Sequence, residues 1–308
     1  MKTHSPKPAR IPPQTPPAGG KSAEAGQIQN PRKIVCPAES ALFSFHSLGF
    51  SAKWVLTFSN KHHSVMRYIL NLKDIGKRNI VIAGGKGAAL GEMMRAGFPV
   101  PPGFVVLAGA FDKKEILAEF RKLKTKYVAV RSSATAEDSS SASWAGQLES
   151  YLNTVEKDLL KNMKKCRESL YSPRAISYRT QKGLNKKKIS VAVVIQKMVQ
   201  SEISGVCFTV HPVTKDKNQM VIEVGYGLGE AIVGGKITPD TYVLDKKTKG
   251  VGHLSVEGKQ KLSDKLIIKL AELCQKIEKL FKYPQDIEWA FAKGKFYILQ
   301  SRPITTLD

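Results

Sequence analysis

Asp286-Ile-Glu288-Trp-Ala-Phe-Ala-Lys-Gly294-Lys-Phe-Tyr-Ile-Leu-Gln300-Ser-Arg302-Pro303 consists of two apolar, aromatic-rich runs that meet at a Lys-Gly turn, the pattern of a β-hairpin. A pairing centred near Gly294 sets Glu288 opposite Gln300 and Asp286 opposite Arg302. Side chains alternate with period two, so all four project from one face. Opposed Cβ atoms lie roughly 4.5–5.5 Å apart. A carboxylate and an amide oxygen at that separation can share one hard cation, and an arginine beside them can clamp a phosphate. The segment reads as a metal–nucleotide site; an exposed polar face on a closing hairpin is the alternative.

The rest of the chain must supply the scaffold. Its 308 residues suffice for one large or two ordinary domains. With 42% hydrophobic and 24% charged residues, the composition is that of an ordinary soluble protein. No apolar run approaches the roughly 18–20 residues of a membrane span. Cys36, Cys166, Cys207 and Cys274 show no CxxC spacing, which argues against a zinc site or a disulfide framework. A reducing, cytoplasmic setting is expected.

Net charge is +23, of which residues 1–65 contribute +6 and the remainder +17. Such a balance favours anionic partners. The lysines are dispersed in runs such as Lys186-Lys187-Lys188 without interleaved aromatics, so nucleic-acid binding is the least favoured reading and most of them read as solvated faces.

Residues 1–65 hold eight of the sixteen prolines and only two acids, with no sustained period. They read as a disordered or non-native N-terminal extension. A solvated tail, a targeting segment and upstream sequence translated from too early a start are the three origins open, the last favoured because Met66 begins a strand-like run.

From Met66 the signals sharpen. Asn79–Ala83 reads as a strand ending in Gly84-Gly85-Lys86-Gly87, and Ala88–Ala96 as a helix closed by Gly97. Phe104–Leu107 and Tyr127–Val130 read as strands, with a helix over Phe111–Lys124 between them. Leu159–Leu170 and Pro173–Thr180 read as helices. Ile189–Met198, Gly205–Val210, Met220–Val224 and Thr241–Leu244 read as strands, and Lys265–Phe281 as an amphipathic helix. The alternation lacks a clean βαβ rhythm, which implies an α+β architecture with mixed sheets.

Several segments carry chemistry. The glycines around Lys86 leave backbone N–H groups bare before a helix, where they favour phosphate oxygens, or they simply form a turn. Arg131, at a strand exit, supplies a planar fork for phosphate, with Ser132, Ser133 and Thr135 as possible hydroxyl contacts or plain caps. Ser139–Ser143 is small and polar and reads as mobile; Gly146 after it suits either a flap closing over a ligand or an ordinary loop-to-strand junction. Gly225, Gly227 and Gly229 permit close backbone approach or a tight turn. His211, before a proline and without an evident partner, reads as structural.

Nine segments also resemble one family in content and order. Gly84-Gly-Lys-Gly-Ala-Ala-Leu-Gly-Glu-Met93, Val100-Pro-Pro-Gly-Phe-Val105, Ala129-Val-Arg-Ser-Ser-Ala134, Ala145-Gly-Gln147 and Ile195-Gln-Lys-Met198 come first. Gly227-Leu-Gly-Glu230, Thr238-Pro-Asp-Thr-Tyr242, Asp286-Ile-Glu288 and Leu299-Gln-Ser-Arg-Pro303 follow. Over residues 66–305 the chain resembles the N-terminal ATP-grasp domain of phosphoenolpyruvate synthase and pyruvate phosphate dikinase, a domain shared with rifampicin phosphotransferase. The resemblance implies two α+β subdomains enclosing ATP, closed by the C-terminal hairpin. It implies that Lys86, Arg131 and Arg302 contact phosphates, with the two arginines catalytic. Gly146 and Ser150 would lie on the covering loop and Gln196 near adenine or ribose, with Glu288 and Gln300 as ligands of Mg²⁺.

The departures from the family are informative. Relatives run longer between Leu107 and Arg131, where only 23 residues stand here. None of the six histidines lies in a Thr-Ser-His-Ala type motif, so the phosphohistidine and phosphoenolpyruvate/pyruvate domains are absent from this sequence. The resemblance thus implies a phosphotransferase that passes phosphate from ATP to a histidine on a separate chain, serving conversion of pyruvate to phosphoenolpyruvate. A regulatory ATP-binding module and an antibiotic kinase domain are the alternatives.

Overall fold

The structure, a computed structural model, describes residues 68–308 except 110–111, 136–143, 145, 186, 236, 257, 306 and 308. The expected extension 1–65, Met66 and the serine run 139–143 lie outside the described residues.

β1 (Ile69–Asn71) leads through two 3-10 turns into α1 (Ile80–Arg95), followed by β2 (Gly103–Val106), α2 (Lys113–Lys122) and β3 (Val128–Ala134). β4 (Ser150–Thr154), α3 (Glu156–Glu168), α4 (Pro173–Gln181) and β5 (Val191–Lys197) complete the first half. The second half holds β6 (Ile203–Phe208), β7 (Gln219–Tyr226), the short α5 (Glu230–Val233), β8 (Asp240–Asp245) and β9 (Val251–Ser255). It ends with α6 (Asp264–Phe281), β10 (Gln285–Ala292) and β11 (Lys295–Pro303).

Two sheets result, ordered β1-β2-β5-β3-β4 and β11-β10-β6-β7-β8-β9. The α+β class holds, but every recorded pairing is antiparallel, so the expected mixed sheets are corrected. The reason lies in β5. β2, α2 and β3 form a crossover that leaves β2 and β3 pointing the same way, yet β5 enters between them, antiparallel to both.

Period two sorts the strand residues between faces. On one face of the first sheet Phe104, Val130, Val193 and Ile195 pack on Ile116 and Phe120 of α2 and Leu159 and Met163 of α3. The opposite face carries Val105, Val194 and Arg131, which stand in one register row. Leu90 and Met93 of α1 belong to the same buried cluster as Val105 and Val194. In the second sheet Cys207, Ile222, Val224, Ile287 and Trp289 form a rear face clustered with α6. That helix buries Ile267, Leu270, Ala271, Cys274 and Ile277 at the spacing of one helical stripe. Each fully buried aliphatic side chain there contributes about 1.5–3 kcal/mol.

Ile80–Ala83 is not the expected strand. It is the first turn of α1, with Val81 70% and Ile82 41% exposed. The helix breaks at Gly84, whose φ of 72° and ψ of 170° are non-helical. A Cβ on Gly84 would stand 2.3–2.5 Å from Ser133, so only glycine fits. A four-residue apolar run has the same pattern in either state, and no neighbouring strand edge claims this one.

Candidate active site

The closing hairpin turns at Lys293 and Gly294, both at positive φ, as a two-residue type I′ turn requires. From that turn the pairs run Ala292↔Lys295, Phe291↔Phe296, Ala290↔Tyr297 and Trp289↔Ile298. Continued unbroken, this register would set Glu288 against Leu299. A bulge intervenes between Glu288 and Trp289, and beyond it Glu288 pairs with Gln300 and Asp286 with Arg302. The expected pairings are therefore present, produced by the extra residue Leu299 rather than by symmetry about Gly294. Ile298 stays in the rear core, while Gln300 and Arg302 turn to the front.

β10 pairs on its other side with β6, and β6 with β7. One front-face row therefore reads Gln300, Glu288, Val206, Glu223, and the next Arg302, Asp286, Phe208, Val221. Except for Val221, these rows form one wall of a cleft of about 730 Å³. Ala129, Arg131 and Gln196 of the first sheet line it too, with Lys86 of α1. All eight sequence-selected residues (Lys86, Arg131, Gly146, Ser150, Gln196, Glu288, Gln300 and Arg302) reach this cleft.

Arg131 lies mid-strand, not at a strand exit, because the residues after it are held as strand by their hydroxyls. Ser132 Oγ donates to Glu149 O at 2.8 Å, and Ser133 Oγ donates to Ala83 O at 2.8 Å and accepts from Gly87 N at 3.1 Å. Thr135 Oγ1 accepts from Ser190 N. Each hydroxyl is thus engaged with a backbone group, the structural one of the two roles the sequence left open. Ser133 ties the glycine turn under Lys86 to β3.

Arg131 Nη1 donates to Glu288 Oε2 at 3.0 Å and to Gln300 Oε1 at 3.3 Å. Its Nε is buried and has no hydrogen-bond partner among the described residues. Arg302 forks onto Asp286 Oδ2 through Nε at 2.8 Å and Nη2 at 2.5 Å. Gln196 is buried, its Nε2 donating to Pro101 O. Ser150 pairs with Arg131 across β3 and β4. His211 Nδ1 accepts from Val213 N and Thr214 N, a loop-holding role, as expected.

The titration follows from these neighbours. Burial alone would raise the Glu288 carboxyl, but the charge and hydrogen bond of Arg131, then the charges of Arg302 and Lys86, hold it below its ordinary value. Glu288 is therefore ionised at neutral pH. Asp286 is raised, because its burial outweighs the attraction of Arg302. Glu223 is raised by burial and then by the charge of Asp286.

The donor set fits Mg²⁺. Glu288 and Gln300 both present oxygen, and both reach one point, the position of Arg131 Nη1. Among the described residues no group of three or more His, Cys, Asp and Glu side chains could hold a metal. A Mg²⁺ here would complete its shell with water and phosphate oxygens. Asp286, Glu223 and an apolar section with Met198, Val199, Leu228 and Ile232 also line the cleft. The sequence reading assigned none of them a role there, though Asp286 stood in its hairpin row.

Two α+β halves, each a sheet backed by helices, with a glycine turn bearing Lys86 on one and a carboxylate–amide hairpin on the other, define an ATP-grasp fold. The chain belongs to the family described as pyruvate phosphate dikinase, AMP/ATP-binding domain, which matches residues 113–260 and 253–308. It is 42% identical over 315 residues to a probable phosphoenolpyruvate synthase of Archaeoglobus fulgidus, covering 78% of this chain and 42% of the relative. It is 34% identical to the phosphoenolpyruvate synthase of Pyrococcus furiosus, covering 78% and 44%. An uncharacterized phosphotransferase of Bacillus subtilis is 35% identical, covering 74% and 34%. The chain thus spans less than half the length of these curated relatives. Among solved structures, it is similar to D-alanine–D-alanine ligase from Helicobacter pylori at 13% identity and TM-score 0.39, covering 73% of this chain and 55% of that one.

Proposed function

We propose that this chain is the Mg-ATP-dependent phosphotransferase part of a phosphoenolpyruvate synthase type system. It binds ATP in the cleft and passes a phosphoryl or pyrophosphoryl group to a histidine on a separate chain carrying the phosphohistidine and phosphoenolpyruvate/pyruvate domains. The observation that carries this reading is the convergence of Glu288 and Gln300 on Arg131 Nη1, with Lys86 and Arg302 on the same cleft.

Lys86 and Arg131 would bind phosphate oxygens from the first half, Arg131 also using its unpartnered Nε. Arg302, pre-oriented by Asp286, would meet them from the second half. Bound Mg²⁺ would supply charge neutralisation at the transferring phosphates, held by Glu288 and Gln300. The protein's part is positioning and fixed positive charge, which is most of what phosphoryl transfer requires. Gly146 and Ser150 would cover the phosphates, and Gln196 would lie near the adenine or ribose. A cytoplasmic location belongs to the same reading, since ATP is the substrate and Cys166, Cys207 and Cys274 are free thiols.

Incubating the chain with γ- or β-labelled Mg-ATP and a phosphohistidine domain of this type tests the proposal. Label should reach the acceptor histidine, and Glu288→Ala should abolish the transfer. Transfer that survives Glu288→Ala would remove the metal assignment.

A further inference from the structure

The front face of the second sheet holds one carboxylate that the phosphotransfer reading leaves unused. Glu223 stands in the same row as Gln300, Glu288 and Val206, one strand beyond Val206. It is half-buried and lines the cleft. Among the described residues its side chain forms no hydrogen bond and no ion pair. In a chain of net charge +23, a carboxylate facing a cleft without a basic partner is an uncompensated cost. Its donor must therefore come from a ligand or from solvent.

The geometry limits what that ligand group can be. Two strand spacings separate Glu223 from Glu288, roughly 9–10 Å. That is too far for both to hold one cation, whose ligand bonds are about 2 Å long. A phosphate is disfavoured at Glu223, because a carboxylate without a basic partner offers it neither a donor nor a positive charge. The apolar lining at Leu228 and Ile232 lies on the segment that follows β7, and Met198 and Val199 follow β5. Glu223 thus stands between the metal pair and a section suited to a base. A nucleotide laid along the cleft presents its sugar between its phosphates and its base, and ribose carries two neighbouring hydroxyl donors. An ionised carboxyl is acceptor-only and can take both.

We infer that Glu223 accepts the ribose hydroxyls of the bound nucleotide and makes the cleft selective for ribonucleotides over deoxyribonucleotides. This rests on the ATP reading above and adds the residue that sets sugar specificity. Binding of ATP, 2′-deoxyATP and 3′-deoxyATP with Mg²⁺ to the full chain, followed by calorimetry, tests it. The wild type should bind ATP about tenfold or more tighter than either deoxynucleotide, the range for hydrogen bonds to a charged group. Glu223→Ala should bring all three within about twofold by weakening ATP alone, and the near-isosteric Glu223→Gln should keep part of the preference. Equal wild-type affinities, or a preference that survives in Glu223→Ala, would overturn the proposal while leaving ATP binding intact. Failure of all three nucleotides to bind the wild type would instead remove the ATP reading and this one with it.

Discussion

Arg131 and Glu288 are joined across the cleft by a 3.0 Å hydrogen-bonded ion pair, the first from β3 and the second from β10. The same guanidinium nitrogen reaches Gln300. The pair is thus both a fastening between the two sheets and the centre of the proposed phosphate site.

Arg131→Gln should lower stability by about 2 kcal/mol, below the 3–5 kcal/mol of a fully buried pair, because Glu288 keeps some solvent contact. Urea denaturation measures this. Phosphotransfer should fall by two orders of magnitude or more, as expected for loss of a fixed charge at the transferring group. A variant of unchanged stability would show that the pair is incidental.

The pH dependence has a defined sign. Glu288 is held below its ordinary value in the folded chain, so its pairing adds stability that is fully present above the unfolded carboxyl's value. That stability is lost as pH falls through the folded value. Arg131→Gln removes the largest influence holding the carboxyl down, so Glu288 should rise toward its unfolded value and the stability lost on acidification should shrink. Urea midpoints from about pH 3 to pH 7 compare the two proteins, and superimposable profiles would contradict the assignment.

Gly84→Ala should be among the most damaging single-methyl additions. It meets Ser133 backbone and side chain at 2.3–2.5 Å and must hold φ at 72°. A loss of roughly 2–3 kcal/mol is expected, with nucleotide affinity reduced because the turn bearing Lys86 must move. Ser133→Ala should cost about 1–3 kcal/mol by leaving Gly87 N without its acceptor. Thermal melts with and without Mg-ATP separate the two effects.

The Thr238–Tyr242 motif predicts a different outcome. Asp240 is fully buried and paired with Lys261, and it accepts from Tyr242 Oη at 3.0 Å. Asp240→Ala should cost about 3–5 kcal/mol. Neither Asp240 nor Lys261 lines the cleft, so nucleotide affinity of the folded fraction should be unchanged. An affinity loss without a stability loss would reverse this.

Deleting Leu299 should separate folding from chemistry. The Trp289↔Ile298 pairing and the rear core can persist, but Gln300 and Arg302 lose the offset that brings them to the front. Phosphotransfer should vanish while the near-ultraviolet dichroism of Trp289, packed on Phe296, is largely retained. Retained activity would show that the strand re-forms the bulge elsewhere.

Much of this was legible because a hairpin face follows from period two and α6 from a single apolar stripe. What escaped has particular causes. Ile80–Ala83 is too short for its pattern to separate helix from strand. β4 and β9 lack apolar alternation: Ser150–Thr154 is largely polar, and Val251–Ser255 is an exposed edge. The strand continues through Arg131-Ser-Ser because those hydroxyls find carbonyl partners on neighbouring segments, Ala83 of α1 and Glu149 before β4. Such partners are distant in sequence and leave no local trace. Glu223 was hidden inside an apolar run, where one acidic residue looks like an interruption rather than a feature.

The bulge at Leu299 also divides β11 into two kinds of sequence. Before it, the strand's even-numbered residues, Phe296 and Ile298, belong to the interior, and substitution there is a question of volume. After it, the even-numbered residues Gln300 and Arg302 face the cleft, and substitution there is a question of charge and hydrogen bonding. A single phase change along nine residues lets one strand serve as both wall and instrument. An insertion or deletion on either side of Leu299 would exchange those duties without altering a single side chain.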